Sequence, residues 1–302
     1  MEYIMEISAK LVKELRDKTN SGMMDCKKAL AECECDLEKA VDWLRQKGLM
    51  TARKRAGRAT KEGLIVAGVS PDQKKGAIVE LNCETDFVAK NEAFQKLALD
   101  IVDVLLTGDE PADVDTLLAK PMNSCAGTID DSIKSLVGTI GENMNLRRFA
   151  VKKAEGDTFL HTYIHGPGRL GVMVELNVEK PGAAAEDLAH NLAMQIAAAN
   201  PVAITSEAVP EEILEREKGI FRAKLAESGK PENMWDKIMI GQINKFYSEI
   251  VLLHQAYVKD DKKSIADVLK DAAAECGKVE IKSFSRFQLG EELPGEASAE
   301  EE

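Results

Sequence analysis

A carboxylate and an aromatic ring stand side by side in the segment Thr85-Asp86-Phe87-Val88, between a predicted strand and a predicted helix. A phenyl ring at such a corner is expected to be exposed to solvent. Exposed aromatic side chains commonly serve contacts with other molecules, because a large apolar surface is costly to leave in water. The chemistry that this segment predicts is therefore non-covalent recognition of a partner.

The chain carries a second copy of this region in which the corner is replaced. Val79-Glu80-Leu81-Asn82 recurs 95 residues later as Val174-Glu175-Leu176-Asn177, and apolar positions of the following helix recur at the same offset. Between strand and helix, the second copy has Lys-Pro-Gly-Ala-Ala-Ala-Glu at residues 180–186. Two halves that share a scaffold and differ at one loop indicate that the loop carries the function.

The cysteines lack the spacing of a typical metal site. Cys26, Cys33 and Cys35 form the one cluster among six, and no histidine lies within 120 residues of them. Zinc sites usually need paired C-x2-4-C spacing or matching histidines. A zinc site here is therefore the weaker interpretation, and reduced, mostly buried thiols are the better one.

The spacing of the histidines and glycines does not indicate a catalytic site either. His161 and His165 are four residues apart in a strand-like run without nearby carboxylates, which makes a ligand pair improbable. The glycine-rich stretch 166–171 joins two strand-like runs, so it favours a hairpin connection over a phosphate-binding loop. The sequence shows no nucleophile elbow and no carboxylate pair at suggestive spacing. It predicts no enzyme, no cofactor and no metal.

The charge of the chain limits the classes of partner that it could bind. The formal net charge of −12 argues against a nucleic-acid-binding surface spread over the whole molecule. Residues 53–61 hold five basic side chains, which suggests a local nucleic-acid patch. They lack interleaved aromatic residues, so a solvated linker is the favoured alternative, and we expect no direct nucleic-acid partner.

The chain start and its apolar runs predict a cytoplasmic protein with no membrane partner. No apolar run approaches the roughly 20 residues that a spanning helix needs. The start, Met-Glu-Tyr-Ile-Met-Glu, lacks the basic residues and apolar core of a signal peptide, and is too acidic for a transit peptide.

Hydrophobic periodicity predicts an α+β fold. Residues 8–50 form a three-helix unit, with Ser8 and Asp36 as caps and the third helix ending at Gly48. The body alternates strands and helices in two related halves, with residues 108–128 irregular. Residues 210–250 interrupt this pattern with a helical hairpin, whose apolar seam is either packed internally or a contact surface.

Four motifs resemble those of bacterial elongation factor Ts. They are Met23-Met24-Asp25-Cys26-Lys27-Lys28-Ala29-Leu30, residues 83–90 around the corner, Gly141-Glu142-Asn143-Met144-Asn145-Leu146-Arg147-Arg148, and Tyr163-Ile164-His165-Gly166. They occur in that family's order, and the resemblance covers residues 6–290.

The resemblance implies a domain plan. It consists of a ubiquitin-associated-like module (1–52), a basic linker (53–62), core subdomain N (63–144), core subdomain C (145–204 and 251–290), an inserted helical hairpin (205–250) and an acidic disordered tail (291–302). The tail lacks the amphipathic helix of some family members, so any contact it makes with the partner is in doubt.

The resemblance also implies guanine nucleotide exchange on GDP-bound elongation factor Tu, the GTPase partner that carries the nucleotide and its Mg²⁺. Thr85, Asp86, Phe87 and Val88 match the segment that enters the G domain, where Phe87 would act as a wedge and Asp86 would perturb the Mg²⁺ ligands and waters. Met23 and Met24 match a docking turn, and His165 with Gly166 matches a contact away from the G domain. Whether the assembly is a dimer or a heterotetramer with the partner stays open.

Other interpretations of the same residues exist. Phe87 could instead form a hydrophobic staple against its own helix. The whole chain could be a non-catalytic binding adaptor that uses the N-terminal module unaided, which would leave the duplicated core without a role. An enzyme would need turnover or a bound metal in the isolated chain.

Overall fold

The computed structural model describes residues 7–19, 21–124, 127–227 and 231–293. The chain forms two compact units, one of residues 1–66, 79–150 and 288–302, the other of residues 67–78 and 151–287. The described helices are α1 Ala9–Thr19, α2 Met23–Glu32, α3 Leu37–Arg55, α4 Asp86–Ala89, α5 Glu92–Thr107, α6 Val114–Leu118, α7 Ile129–Ile140, α8 Ala183–Ala199, α9 Glu211–Glu227, α10 Trp235–Ile250 and α11 Ile265–Cys276.

The described strands are β1 Glu62–Val69, β2 Lys75–Cys83, β3 Met144–Lys153, β4 Thr158–His165, β5 Leu170–Val178, β6 Ala256–Tyr257, β7 Asp260–Ser264 and β8 Val279–Gln288. The sheets have the orders β1-β2-β3, β4-β5-β8 and β6-β7. Helices and small sheets together confirm the α+β class. The boundaries of the six predicted segments stay predictions.

The first three helices pack around a small apolar core. Leu15, Cys26, Ala29, Leu30 and Ala40 are fully buried in it. Local capping fixes where the helices begin: the Ser8 hydroxyl accepts the Leu11 N–H, and the Asp36 carboxylate accepts two N–H groups at the start of α3. Both caps agree with the sequence prediction.

The prediction that the third helix ends at Gly48 is wrong, because α3 continues to Arg55. The glycine lies against Gly138 of α7, where the absence of two side chains lets the backbones approach closely. A Cβ on Gly138 would lie 2.4 Å from the Gly48 Cα. Gly48 therefore serves helix packing, and the last turn of α3 enters the stretch predicted as a linker.

Two further helices of the first unit, α6 and α7, differ from the sequence prediction or add detail to it. Residues 108–128 are not wholly irregular, since Asp113 caps the one-turn helix α6 through the Thr116 N–H. Thr128 and Asp131 form a reciprocal capping box that begins α7. Both features are local polar bonds that a hydrophobic pattern does not reveal.

The second unit buries helix α8 beside an antiparallel strand pair. Strands β4 and β5 run in register from the Thr158–Asn177 pair to the His165–Leu170 pair. Helix α8 contacts both strands, and their apolar side chains share a core with α11. The strand and the helix predicted for the second copy are present as β5 and α8.

The predicted helical hairpin is α9 followed by α10. The two helices contact each other, and Leu225 is the one buried side chain among their described residues. Ile220 and Ile240 are exposed. The turn predicted at residues 228–231 lies mostly outside the described residues, so the choice between internal packing and a contact surface stays open.

Other predictions also fall outside the described residues. They concern Cys125 and residues 294–302 of the predicted tail. Within the tail, Glu291 is described and forms a 2.6 Å ion pair with Arg148. Of the helices the structure describes, none is long and apolar enough to cross a membrane.

The close approach of α3 and α7 predicts an asymmetry between two glycine substitutions. Gly138→Ala should destabilise the protein by about 1–3 kcal/mol, because the new methyl group meets backbone. Gly48→Ala should be neutral or stabilising by up to about 1 kcal/mol, since its Cβ would lie at an ordinary 3.6 Å contact and alanine favours helix. Urea unfolding of both variants measures the difference, and equal effects would contradict the close approach.

Candidate partner-binding site

The predicted corner is a single helical turn between β2 and α5. Thr85 has extended backbone angles, φ −129° and ψ 157°, and begins helix α4. The chain leaves this turn at Asn91, whose side chain accepts the Ala93 N–H and begins α5. The strand end, the turn and the start of the second helix thus lie within a few residues of one another.

Two adjacent side chains of this turn point in opposite directions. Val88 is 6% exposed and packs in the core, whereas Phe87 is 80% exposed. This exposure agrees with the sequence expectation and disagrees with a hydrophobic staple, which would cover the ring. Val88 therefore serves as the internal anchor of the turn that presents Phe87.

The Asp86 carboxylate beside the ring is charged and partly engaged. The Lys90 ammonium lies 2.6 Å from its Oδ2 atom, one helical turn further on. This hydrogen bond from Lys90 holds the pKa of Asp86 below its ordinary value. The side chain keeps 49% of its surface exposed, so the carboxylate stays accessible to a partner.

Two carboxylates, one from each side, join the corner to the turn after α7. Glu142 accepts both the N–H and the hydroxyl of Thr85, at 3.0 Å and 2.8 Å. In the reverse direction, Glu84 accepts the Asn143 N–H at 2.6 Å. Sequence reasoning placed Glu142 and Asn143 in a motif but assigned them no role, because their partners lie nearly sixty residues away.

Cys83, the last residue of β2, is a buried thiol whose protonation is affected by burial. The Cys83 thiol donates to the Thr85 carbonyl at 3.1 Å. Burial, aided by the nearby charge of Glu142, raises the pKa of Cys83 to about 12. The thiol therefore stays protonated at neutral pH and acts as a buried hydrogen-bond donor.

Met23 and Met24 form a second exposed apolar spot in the same unit as Phe87. Their side chains are 57% and 76% exposed at the start of α2, while Cys26 behind them is fully buried. A flexible thioether adapts readily to a partner surface. The pair is thus available for contact, as expected from the sequence.

The predicted residues His165 and Gly166 lie at the end of β4 in the second unit. His165 is exposed, and its Nδ1 lies 2.8 Å from the Tyr163 hydroxyl. Gly166 has a left-handed φ of 58°, which suits a glycine at the tight turn that begins there. The turn joins two antiparallel strands, as predicted for the glycine-rich stretch.

His161 and His165 take different partners. The Nε2 atom of His161 lies 3.3 Å from Nδ1 of His190 on α8. Burial lowers the pKa of His161, and the neighbouring His190 lowers it further. Within the described ranges, no group of three histidine, cysteine or acidic side chains is arranged to hold a metal ion.

The three N-terminal cysteines fit a structural role. Cys26 is buried, Cys33 is partly buried, and both are free thiols, as is Cys35. Burial raises the pKa of Cys26 and of Cys33, which keeps both thiols protonated.

The bond from the Asn143 N–H to Glu84 predicts a pH-dependent contribution to stability. It holds the pKa of Glu84 below its ordinary 4.5. A carboxylate with a lowered folded pKa stabilises the fold above its unfolded pKa, and this contribution disappears as the pH falls through the folded pKa. Wild type should therefore be more stable than Glu84→Gln at pH 7, and the gap should close in acid.

Urea unfolding of both proteins between pH 7 and pH 3 measures this gap, with the exposed Glu275→Gln as a matched control. A gap that widens as the pH falls would show that the Glu84 carboxylate is not stabilised by its neighbours.

Comparison with known proteins supplies the family. A family model described as Elongation factor TS matches residues 84–291. The proteins called Elongation factor Ts from Nitratidesulfovibrio vulgaris strain DP4 and Aquifex aeolicus strain VF5 are 44% and 45% identical to the chain. The alignments cover 98% and 95% of this chain and 100% and 99% of those proteins.

A third relative, Elongation factor Ts of Clostridium botulinum strain Eklund 17B, is 46% identical over 94% of this chain and 93% of its own length. The matched region contains the whole braced corner, from Glu84 to Asn143. This chain belongs to the elongation factor Ts family.

Proposed function

We propose that this protein is a guanine nucleotide exchange factor of translation elongation. It binds GDP-bound elongation factor Tu and promotes release of GDP, so that GTP can bind. It acts on a GTPase partner and performs no covalent chemistry of its own. The observation that carries the proposal is the exposed Phe87 beside a charged carboxylate on a braced turn.

Phe87 is the wedge of this proposal. Burying a phenylalanine side chain contributes about 1.5–3 kcal/mol, a gain that is realised only when the ring enters an apolar site on the partner. Because Val88 holds the same turn in the core, insertion of the ring displaces the partner's side chains and leaves the corner in place.

Asp86 acts on the partner's Mg²⁺ site. Protein-bound Mg²⁺ keeps several waters and depends on the phosphates of its nucleotide, so small displacements of its shell weaken nucleotide binding. A carboxylate brought to this shell competes for its waters and ligands. The pairing of Asp86 with Lys90 keeps the carboxylate ionised for that role.

Energetics require contacts beyond the corner. If the protein weakens GDP binding by some factor, GDP weakens binding of the protein by the same factor. A thousandfold effect needs about 4 kcal/mol of coupling. The contacts proposed at Met23 and Met24, and at His165 and Gly166, supply the affinity that keeps the complex together.

The domain plan belongs to the same proposal. Residues 1–52 form a ubiquitin-associated-like docking module, the two core halves are related subdomains N and C, and residues 205–250 are an inserted hairpin. The protein works in the cytoplasm without a direct nucleic-acid or membrane partner.

The decisive experiment is release of a fluorescent GDP from elongation factor Tu, chased with excess GDP. Wild type should accelerate release strongly. Phe87→Ala should lower the saturating release rate by about tenfold or more, because the lost ring contact amounts to at least about 1.4 kcal/mol. Leu99→Ala, which truncates another exposed apolar side chain of the same unit, is the matched control.

Each outcome decides a different part of the proposal. Equal acceleration by wild type and Phe87→Ala would keep the exchange function and remove the wedge. Binding without acceleration by wild type would favour a non-catalytic adaptor.

Substitution of Met24 tests the docking surface separately. Met24→Glu should raise the concentration of protein needed for half-maximal release by about tenfold, since it puts a charge into an apolar contact. The saturating rate should change little, because this contact lies outside the corner. Met50→Glu alters a similarly exposed methionine on α3 and serves as the control. A loss confined to the saturating rate would contradict a docking role.

A further inference from the structure

The turn that follows α7 carries a carboxylate with two bonds to one residue of the corner. Gly141 ends α7 in a left-handed conformation, φ 88°, so the chain reverses and places Glu142 before β3. Glu142 Oε2 accepts the Thr85 N–H, and Oε1 accepts the Thr85 hydroxyl. Because a carboxylate that uses both oxygens on one residue fixes that residue in two directions, Glu142 restrains Thr85 more than a single bond would.

The Thr85 hydroxyl does not cap helix α4, although its position before the helix predicts that it would. A threonine before a helix normally uses its side-chain oxygen to accept an N–H of the first turn. Here Thr85 makes no such side-chain cap, and its hydroxyl donates to Glu142. The side chain that would stabilise α4 locally instead ties the turn to a distant part of the chain.

Helix α4 depends on such ties because it is too short to hold its own orientation. It has four residues, and isolated helices need about 12–15 residues to be even marginally stable in water. Its direction is therefore set by contacts of its neighbours: Val88 in the core and Thr85 at its start. Loss of the Glu142 bonds leaves Val88 and the bond from the Cys83 thiol to the Thr85 carbonyl, so the Phe87 side of the turn is less restrained.

A second set of hydrogen bonds, next to the Glu142–Thr85 bonds, joins Glu84, Asn143 and Arg58. The Asn143 N–H donates to Glu84, the Arg58 guanidinium pairs with the same carboxylate at 3.3 Å, and the Asn143 amide donates to the Arg58 carbonyl. Residues 84 and 85 are thus bonded to residues 143 and 142, one carboxylate from each side. Glu84 secures the end of the strand, and Glu142 is the group bonded to the first residue of the corner itself.

We propose that Glu142 is the positioning residue of the corner: it holds Thr85 so that Phe87 and Asp86 meet the partner in one fixed direction. The proposal rests on the exchange function for its consequence and on the two Thr85 bonds for its geometry. Glu142 acts through Thr85, without contact of its own with the partner. Its removal should impair exchange only while Phe87 or Asp86 is present.

The first test uses the isolated protein and needs no partner. Hydrogen–deuterium exchange should speed up by about tenfold for the hydrogen-bonded amides of Thr85, Ala89 and Lys90 in Glu142→Ala, as expected for loss of a charge-assisted hydrogen bond. Protection of α1, α2 and α8 should stay unchanged. Glu142→Gln should restore most of the protection, because its carbonyl can accept the Thr85 N–H and its amide can donate to the Thr85 hydroxyl oxygen.

The second test measures release of fluorescent GDP from elongation factor Tu over a range of protein concentrations. Glu142→Ala should lower the saturating rate by about tenfold and leave the half-maximal concentration within about twofold. Thr85→Val, which removes the hydroxyl alone, should give a smaller loss of the same kind. Glu275→Ala, at an exposed site in the other unit, controls for loss of a carboxylate.

Removing both presented side chains separates positioning from direct contact. Under the proposal, Glu142→Ala/Asp86→Ala/Phe87→Ala releases GDP no more slowly than Asp86→Ala/Phe87→Ala, because a misplaced corner without its wedge and its carboxylate has nothing more to lose. A further loss in the triple variant would mean that Glu142 touches the partner itself, and would overturn the proposal.

Failure of the exchange function remains distinguishable from failure of this inference. If wild type does not accelerate GDP release, the proposed function is wrong, while the hydrogen-exchange test still decides whether Glu142 holds the corner. Unchanged protection at Thr85, Ala89 and Lys90 in Glu142→Ala would overturn the inference whatever the release rates. If Glu142→Ala does not fold, Thr85→Val carries both tests.

Discussion

The bonds from Glu84 and Glu142 to backbone N–H groups are the constraint on which the candidate site depends. They join positions 59 and 57 residues apart in the chain and hold the end of β2 against the turn after α7. A backbone N–H paired with a carboxylate gives a stronger hydrogen bond than one paired with a neutral acceptor. A short helical turn, unstable alone, thereby obtains a defined direction, and an 80% exposed phenyl ring stands on it.

The duplicated strand shows how one scaffold supports different polar interactions. Glu80 and Glu175 occupy the same position of the two copies. Glu80 is fully buried and pairs with Arg147 and Arg148, whereas Glu175 accepts a hydroxyl from Ser283 at 2.8 Å. Removing one partner of a buried ion pair is costly, since it leaves an unpaired charge in the interior. Loss of an arginine partner should therefore destabilise the first copy, whereas Glu175 in the second copy accepts from a neutral hydroxyl.

Most of the fold could be predicted from the sequence, because apolar periodicity reports burial directly. The strands before both corners, the helices after them and the exposure of Phe87 follow from local pattern. The close packing of Gly48 against Gly138 could not be predicted, since the two glycines lie ninety residues apart in the chain. The positioning role proposed for Glu142 was hidden for the same reason: its motif is visible, but its bonds to Thr85 join distant segments.

The proposed exchange function requires a corner that does not bend. A ligand shifts an equilibrium only by the difference between its affinities for the two states. Contacts far from the nucleotide, such as those proposed for Met24 and His165, bind the GDP-bound and GDP-free partner alike and so provide affinity without exchange. The difference must come from side chains at the nucleotide site. A corner that bent on insertion would avoid displacing the Mg²⁺ shell, and the difference in affinity would fall. Phe87 can displace groups of the partner only if the turn that carries it keeps its position. This is the reason to expect Thr85 to be held by hydrogen bonds next to an exposed Phe87.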